Sequence, residues 1–144
     1  MAVEDEGVAA RAAAAMWAED AASRWFGMAL GDVSEGRAVV TLAVAAHHCN
    51  GHGTCHGGVI FALADSAFAF ACNSRNQSTV AMHATVSFLA PARAGETLTA
   101  TARETHLAGR NGIYDVEVAG PGGPIAQFRG MSRAVPGTLF EEGD

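Results

Sequence analysis

The sequence predicts an α+β domain in which an antiparallel sheet wraps one long buried helix, and three observations carry that expectation. Val59 to Cys72, VIFALADSAFAFAC, is too long and too rich in Ala for a strand. It is apolar around nearly its whole circumference, the pattern of a helix buried on all sides. Four runs of strand composition follow it, punctuated by turn-forming residues. The chain is 144 residues long, the size of one domain, and can bury about two thirds of its unfolded surface.

Taken in order, Val8 to Ala22 is Ala-rich, with Met16 and Trp17 among its few bulky residues, and predicts an N-terminal helix. Trp25 to Leu30 reads as a short apolar strand or loop, and Gly31-Asp32 begins a turn. Residues 1–35 therefore form a helix and lead-in. The first clear strand is GRAVVTLAVAA from Gly36, whose Val39, Val40, Leu42 and Val44 supply β-branched and apolar content. After the buried helix come strands over Thr79–Leu89, Thr97–His106, Gly112–Val118 and Ile125–Val135. The turn compositions Pro91–Gly95, Ala108–Asn111 and Gly120–Pro124 separate them. Residues 136–144 read as a flexible tail, and residues 1–144 as a single domain with no repeat or linker.

Composition narrows the chemistry. Nine basic and fifteen acidic residues give a net charge of −6. The cations are scattered singly, so a nucleic-acid footprint is absent. All nine are Arg, which removes Schiff-base chemistry, pyridoxal phosphate attachment and a P-loop lysine. No apolar run approaches the roughly 20 residues of a membrane span, and the acidic start MAVEDEG lacks the positive region of a signal peptide. A cytosolic protein without membrane attachment is expected. Cys49, Cys55 and Cys72 are too few and too odd in number for a disulfide framework and read as free thiols.

The chemistry concentrates between Asn50 and Asp65. Asn50-Gly-His-Gly-Thr-Cys-His-Gly-Gly58 places four glycines and two histidines in nine residues immediately before the buried helix. Glycine lets backbone N–H groups approach a ligand closely. The first amides of a helix have no intrahelical partner and sit at the positive end of its dipole, so Gly57 and Gly58 could polarise a carbonyl oxygen. The same glycines could equally serve only to turn the chain into the helix. Asp65 is the only charged residue between His56 and Arg75, among Phe61, Leu63, Ala64, Ala67 and Phe68. A carboxylate there has its pKa raised and is a candidate base or nucleophile, unless it simply hydrogen-bonds a buried group. Eight residues of helix span roughly 12 Å, so one carbonyl cannot touch both Gly57 and Asp65. If both act on one substrate, each comes from a different subunit, giving two sites at a two-fold interface.

NGHGTCHGG, FALAD, AFAFACN, FLAP and GETLTA together resemble the hotdog-fold acyl-CoA thioesterases, most closely those of phenylacetate degradation. The similarity runs from about Gly36 to about Arg133, and HGG followed eight residues later by Asp is its specific part. The resemblance implies a hotdog fold, a curved antiparallel sheet of five to six strands around one central helix. It implies a homodimer sharing two active sites, usually a dimer of dimers, that hydrolyses an acyl-CoA, here phenylacetyl-CoA or a ring-hydroxylated form. Asp65 matches the catalytic carboxylate, as base towards water or as nucleophile, and Gly57 the amide that polarises the thioester carbonyl. Asn50 and His56 match groups that orient water or carbonyl and steady the loop, and Ser66 stands where Thr is frequent. Gly58, with Arg110, Asn111 and Gly112 at a later turn, falls where related proteins meet CoA, although that turn also reads as an ordinary hairpin with a solvated Arg. On the strand leading to Phe88, His83 and Thr85 could line an acyl pocket, although His83 reads more readily as an ordinary hydrogen-bonded strand histidine. Arg129 and Arg133 could assist phosphate binding or be surface charge. No cofactor is implied, CoA being part of the substrate.

Other templates fit less well. His47, His48, Cys49, His52, Cys55 and His56 supply enough donors for zinc, but their spacing matches no standard site and no second ligand pair lies further along, so no metal is expected. Gly130-Met-Ser-Arg-Ala134 lacks the second glycine of a nucleophile elbow. Gly51 to His56 puts His where a dinucleotide fingerprint needs its third glycine. Hydration of an enoyl-CoA on the same architecture, and acyl-CoA binding without turnover, remain as alternatives.

Overall fold

The structure, a computed structural model, describes residues 7–142. The acidic start up to residue 6 and the last two residues of the expected tail lie outside the described residues. The elements are α1 (Gly7–Glu19), α2 (Ala21–Phe26), β1 (Met28–Ser34), β2 (Arg37–Ala43), a 3-10 turn (Ala46–His48), α3 (Gly57–Cys72), β3 (Thr79–Phe88), β4 (Thr97–Ala108), β5 (Asn111–Gly120) and β6 (Gly123–Ala134). One antiparallel sheet has the order β1-β2-β4-β5-β6-β3. Between β2 and β3 the chain must cross from one side of the sheet to the far edge, and α3 makes that crossing over the concave face.

Alternation in the strands sets the register. Ala38 pairs with Ala102, Ala102 with Val116, Val116 with Phe128 and Phe128 with Val86. This row crosses five strands and all of it packs in the core. A one-residue slip in any strand would turn its share of the row to solvent. Many inward positions are small, among them Ala38, Ala100, Ala102, Ala126 and Gly130, so the helix can lie close to the sheet. α3 fills that space with Leu63, Ala64, Ala67, Phe68 and Ala71, all buried. The Phe68 ring meets Tyr114 at 5.6 Å and Phe128 at 5.7 Å between centroids. A Cβ built on Gly130 would lie 2.8 Å from that ring.

The structure departs from the sequence expectation in five places, four of them before β2 or within α3 and the fifth at the tail. The N-terminal helix expected over Val8–Ala22 is two helices, because the Asp20 carboxylate caps α2, accepting from the Ser23 N–H at 2.9 Å and the Ser23 hydroxyl at 2.7 Å. Trp25 and Phe26 end α2 rather than forming a strand or loop, and Gly27 closes it in the left-handed conformation. Gly31-Asp32 is no turn but an irregularity inside β1, where the register shifts between Leu30 and Val33. α3 is not buried on all sides within one chain: Ala62, Asp65, Ser66 and Ala69 form a half-exposed stripe.

Residues beyond β6, expected to be a flexible tail, are tied down as far as Glu142. Asn76 Oδ1 accepts from the N–H groups of Leu139 and Phe140 at 2.9 and 3.1 Å. Its Nδ2 donates to the Phe140 carbonyl and the Glu142 carboxylate. The Arg11 guanidinium covers the Phe140 ring at 4.3 Å.

Gly130→Ala forces its methyl into the Phe68 ring, which is enclosed on every side and cannot give way. The expected cost is about 1 to 3 kcal/mol of folding free energy, measured as a lowered urea midpoint at unchanged slope. An unchanged midpoint would show that α3 does not bear on the sheet at this point.

Candidate active site

The loop before α3 is a small hairpin organised by one side chain. Asn50 Oδ1 accepts from the His52 N–H at 2.9 Å and from the N–H and hydroxyl of Thr54, both at 3.3 Å. The backbone closes the hairpin with Asn50 N–H to Thr54 carbonyl at 2.8 Å and Gly53 N–H to Asn50 carbonyl at 3.0 Å. Asn50 thus occupies its oxygen within the loop. His48, just before it, accepts the Ala45 N–H at Nδ1 and meets the Phe26 carbonyl at Nε2, 2.7 Å away, which ties the loop to α2.

His56 is the N-cap of α3. Its Nδ1 accepts the Gly58 N–H at 2.8 Å, so its proton sits on Nε2. The His56 carbonyl takes the Val59 and Ile60 N–H groups. Of the first four amides of the helix, Gly57 alone is left without a partner among the described residues. The Gly58 amide, by contrast, is consumed by its own cap. Gly57 lines an open hollow of about 350 Å3 with Thr54, Cys55, Ile60, Phe88, Leu89 and neighbours. The Phe88 ring closes over it, at 3.1 Å from where a Gly57 Cβ would stand.

Two turns further on, roughly 12 Å along the axis, Asp65 opens on a different hollow of about 210 Å3. Its walls include Phe26, Met28, Ala62, Ala69, Asp20, Ser23 and Ser66. Among the described residues no donor or cation pairs with the Asp65 carboxylate, and burial raises its pKa. Ser66 is engaged: its hydroxyl lies 2.7 Å from that of Ser23, which in turn donates to Asp20. With Asp20 as terminal acceptor, Ser66 is the donor of the pair. This Asp20–Ser23–Ser66 chain was missed from the sequence, although Asp20 three residues before Ser23 is a helix-capping pattern. Cys55 and Cys72 are buried, and their thiols are pushed up to about 11 and about 12.

The remaining candidates lie elsewhere. Gly109-Arg110 forms the two-residue tip of the β4–β5 hairpin, with Asn111 and Gly112 opening β5. This turn sits beside the C-terminal end of α3, where Arg110 shares a hollow of about 180 Å3 with Cys72, Gln77, Tyr114 and Ser132. Gly112 is closely packed: a Cβ there would stand 3.0 Å from both the Ser132 hydroxyl and the Tyr114 ring, so one of them would have to shift by a few tenths of an ångström. His83 and Thr85 are exposed on β3 and alternate with Ala84 and Val86, which pack on the core; they therefore face away from α3. Arg129 is paired with Asp115 at 2.6 Å. Among the described residues, no three His, Cys, Asp or Glu side chains gather as metal ligands, and no helix is long and apolar enough to cross a membrane. One chain thus holds a free amide and an unpartnered carboxylate, on one rigid helix but in separate hollows.

Because burial raises the Asp65 pKa when the chain folds, the folded state binds more protons than the unfolded state between the two values, and stability falls as pH rises through that window. Asp65→Asn removes the charged form. Its denaturation midpoint should exceed that of the parent at pH 7, and the difference should close below the ordinary carboxyl value of 3.8. Equal midpoints at pH 7 would mean that Asp65 is already satisfied.

The chain resembles known proteins over most of its length. Residues 52–124 match the family model described as the thioesterase superfamily. The chain is 45% identical over 129 residues, 89% of its length and 92% of the relative's, to acyl-coenzyme A thioesterase PaaI of Escherichia coli (strain K12). The solved structure of the E. coli PaaI protein from the phenylacetic acid degradation operon superposes with a TM-score of 0.88, covering 90% of this chain and 95% of that one. A variant of the phenylacetic acid degradation protein PaaI from Thermus thermophilus, 38% identical, superposes with a TM-score of 0.76 over 78% of this chain and 97% of its own.

Proposed function

We infer the chemistry from one premise: this chain belongs to the thioesterase superfamily, and its activity is the hydrolysis of an acyl-CoA thioester to the free acid and CoA. The observation that carries the mechanism is the placement of the free Gly57 amide and the unpartnered Asp65 carboxylate on one helix, roughly 12 Å apart. A single carbonyl reaches both only if they come from two chains. The active unit is therefore a homodimer with two shared sites; its further assembly as a dimer of dimers rests on the family resemblance alone.

Two-fold symmetry makes this arrangement specific. If Gly57 of one protomer faces Asp65 of its partner, the reverse contact follows, and the helices run antiparallel with Phe61 at the axis. The C-terminal end of α3, with Arg110, Asn111 and Gly112, then falls beside the partner's hairpin of Asn50 and His56. CoA lies across this junction. The open edge of β3 supports the assembly: Val80, Met82, Phe88 and Leu89, at that edge and just beyond it, are each about half exposed. A ten-residue edge with such side chains, unpaired among the described residues, is otherwise an aggregation hazard.

In the reaction the Gly57 N–H donates to the thioester oxygen as negative charge develops there. Asp65 of the other chain takes a proton from water, or attacks the carbonyl carbon to form an anhydride that water opens, and CoA thiolate departs. Single turnover in heavy-oxygen water identifies the nucleophilic route when label appears in Asp65, which requires that water open the anhydride at the Asp65 carbonyl. No cofactor enters, and the enzyme is cytosolic. The acyl group is phenylacetyl or ring-hydroxylated phenylacetyl. The hollow beside Asp65 has apolar walls for a ring, and Asp20 and Ser66 can accept from a ring hydroxyl.

Proline separates the amide from its surroundings. Gly57 is the first residue of α3, where proline is well tolerated, and His56 already has the extended backbone that a following proline demands. Gly57→Pro should lower kcat by about 100 to 1000-fold relative to Gly57→Ala, which keeps the N–H and introduces the same Cβ beside Phe88. Equal rates would remove Gly57 from the mechanism. Asp65→Asn should cost about 100 to 10,000-fold in kcat. Parent activity should fall with acidification through the raised Asp65 pKa, and a profile flat well into acid would contradict the role of its ionised form. Across a panel of acyl-CoAs, kcat/KM should favour arylacetyl over long-chain substrates; the opposite order would overturn the acyl assignment alone.

A further inference from the structure

The hairpin before α3 is framed by two free cysteines, Cys49 and Cys55, to which hydrolysis assigns no task. Their backbones form an isolated antiparallel bridge. On one side it is flanked by Asn50 N–H to Thr54 carbonyl at 2.8 Å, and on the other by His56 N–H to His48 carbonyl at 2.8 Å. That flanking pattern makes Cys49 and Cys55 a non-hydrogen-bonded pair, with Cα atoms about 4.5 Å apart and side chains side by side on one face. A disulfide requires Cα atoms roughly 4.4 to 6.8 Å apart. The spacing of such a pair falls at the short end of that range.

We propose that Cys49 and Cys55 are a redox-modification site, closed by a low-molecular-weight disulfide such as glutathione disulfide into an intrachain bond across the hairpin that presents Asn50 and Gly57. Cys49, the half-buried member, loses its proton to solvent and attacks one sulfur of glutathione disulfide; its S–S bond breaks and one glutathione leaves as thiolate. Cys55 then loses its proton and attacks the Cys49 sulfur of the mixed disulfide, releasing the second glutathione. Two protein thiols are oxidised, two electrons reduce one glutathione disulfide to two glutathiones, and the protons balance. Burial lifts the Cys55 thiol to about 11, with Cys49 beside it adding to the rise. Closure therefore quickens as pH rises.

The bond would reinforce an existing tie. Asn50 Oδ1 already holds the hairpin together through His52 and Thr54, and the disulfide closes a ring one residue outside that tie. In a reducing compartment such a bond is a transient modification rather than a structural staple. The inference does not rest on the hydrolytic reading, and its test measures no turnover.

The intact protein is equilibrated with glutathione disulfide and glutathione in varied ratio, then acid-quenched, alkylated and mapped by mass spectrometry. The expected product has lost two hydrogens, links the Cys49 and Cys55 peptides, and reverts with dithiothreitol. Its thermal midpoint should lie roughly 5 to 10 °C above that of the reduced form, as a short ring closed without strain gives. Cys49→Ser should abolish the link, and Cys72→Ala should leave it intact. A glutathione adduct that persists on Cys49, a link through Cys72 or between chains, unreacted thiols under fully oxidising conditions, or a lowered midpoint would each overturn the proposal.

Discussion

α3 is sixteen residues long with a single charge, and it cannot remain in water; the rest of the fold is arranged to cover it. The helix crosses the concave face because β2 and β3 lie four places apart in the sheet. The sheet can approach because its inward positions are often Ala or Gly, and the contact is fixed where Phe68 lies against Gly130. Covering remains incomplete along the stripe of Ala62, Asp65, Ser66 and Ala69. There α2, held by the Asp20–Ser23–Ser66 hydrogen bonds, shields only one flank.

The same helix makes the site possible and divides it. An N-terminus leaves several amides without partners, and this sequence satisfies all but one: His56 caps Gly58 with its side chain and Val59 and Ile60 with its carbonyl. What remains is one directed donor at the positive end of the helix dipole, on a hollow that glycine keeps open. A helix is also rigid, so the distance from that donor to Asp65 cannot be shortened by any loop movement. Chemistry that needs both must recruit a second copy, and the open β3 edge and half-covered α3 face are surfaces such a copy could cover.

Much of this was legible in the sequence where periodicity was clean. β2 and β4 to β6 alternate strictly enough to announce themselves, and the length and apolarity of α3 left little choice. β1 was legible only at Met28–Leu30, within the run read as strand or loop, because the rest of MALGDVS has little β-branched content and contains a Gly-Asp irregularity that imitates a turn. The break between α1 and α2 was obscured by helix-favouring Ala on both sides of Asp20. That β3 is an edge strand depends on long-range sheet order, which no local pattern encodes. At the site, the helix-end argument left Gly57 and Gly58 equivalent and only the family resemblance set Gly57 apart; the three-dimensional geometry supplies the physical reason, because the imidazole of His56 uses one amide and spares the other. Asn50, a candidate for orienting water or carbonyl, has its oxygen committed to the hairpin and retains its amide group for any such contact.

The claim that the site is shared between chains is tested most directly by complementation. Gly57→Pro and Asp65→Asn chains, each inactive alone, are denatured together in equal amounts and refolded so that mixed dimers form. In a mixed dimer one site combines both lesions and the other has the intact amide of one chain facing the intact carboxylate of the other. Random pairing should therefore restore about a quarter of the parent activity. If hydrolysis stays at the level of the separate variants while mixed dimers are demonstrably present, the amide and the carboxylate do not act across the interface, and the two-chain site is wrong.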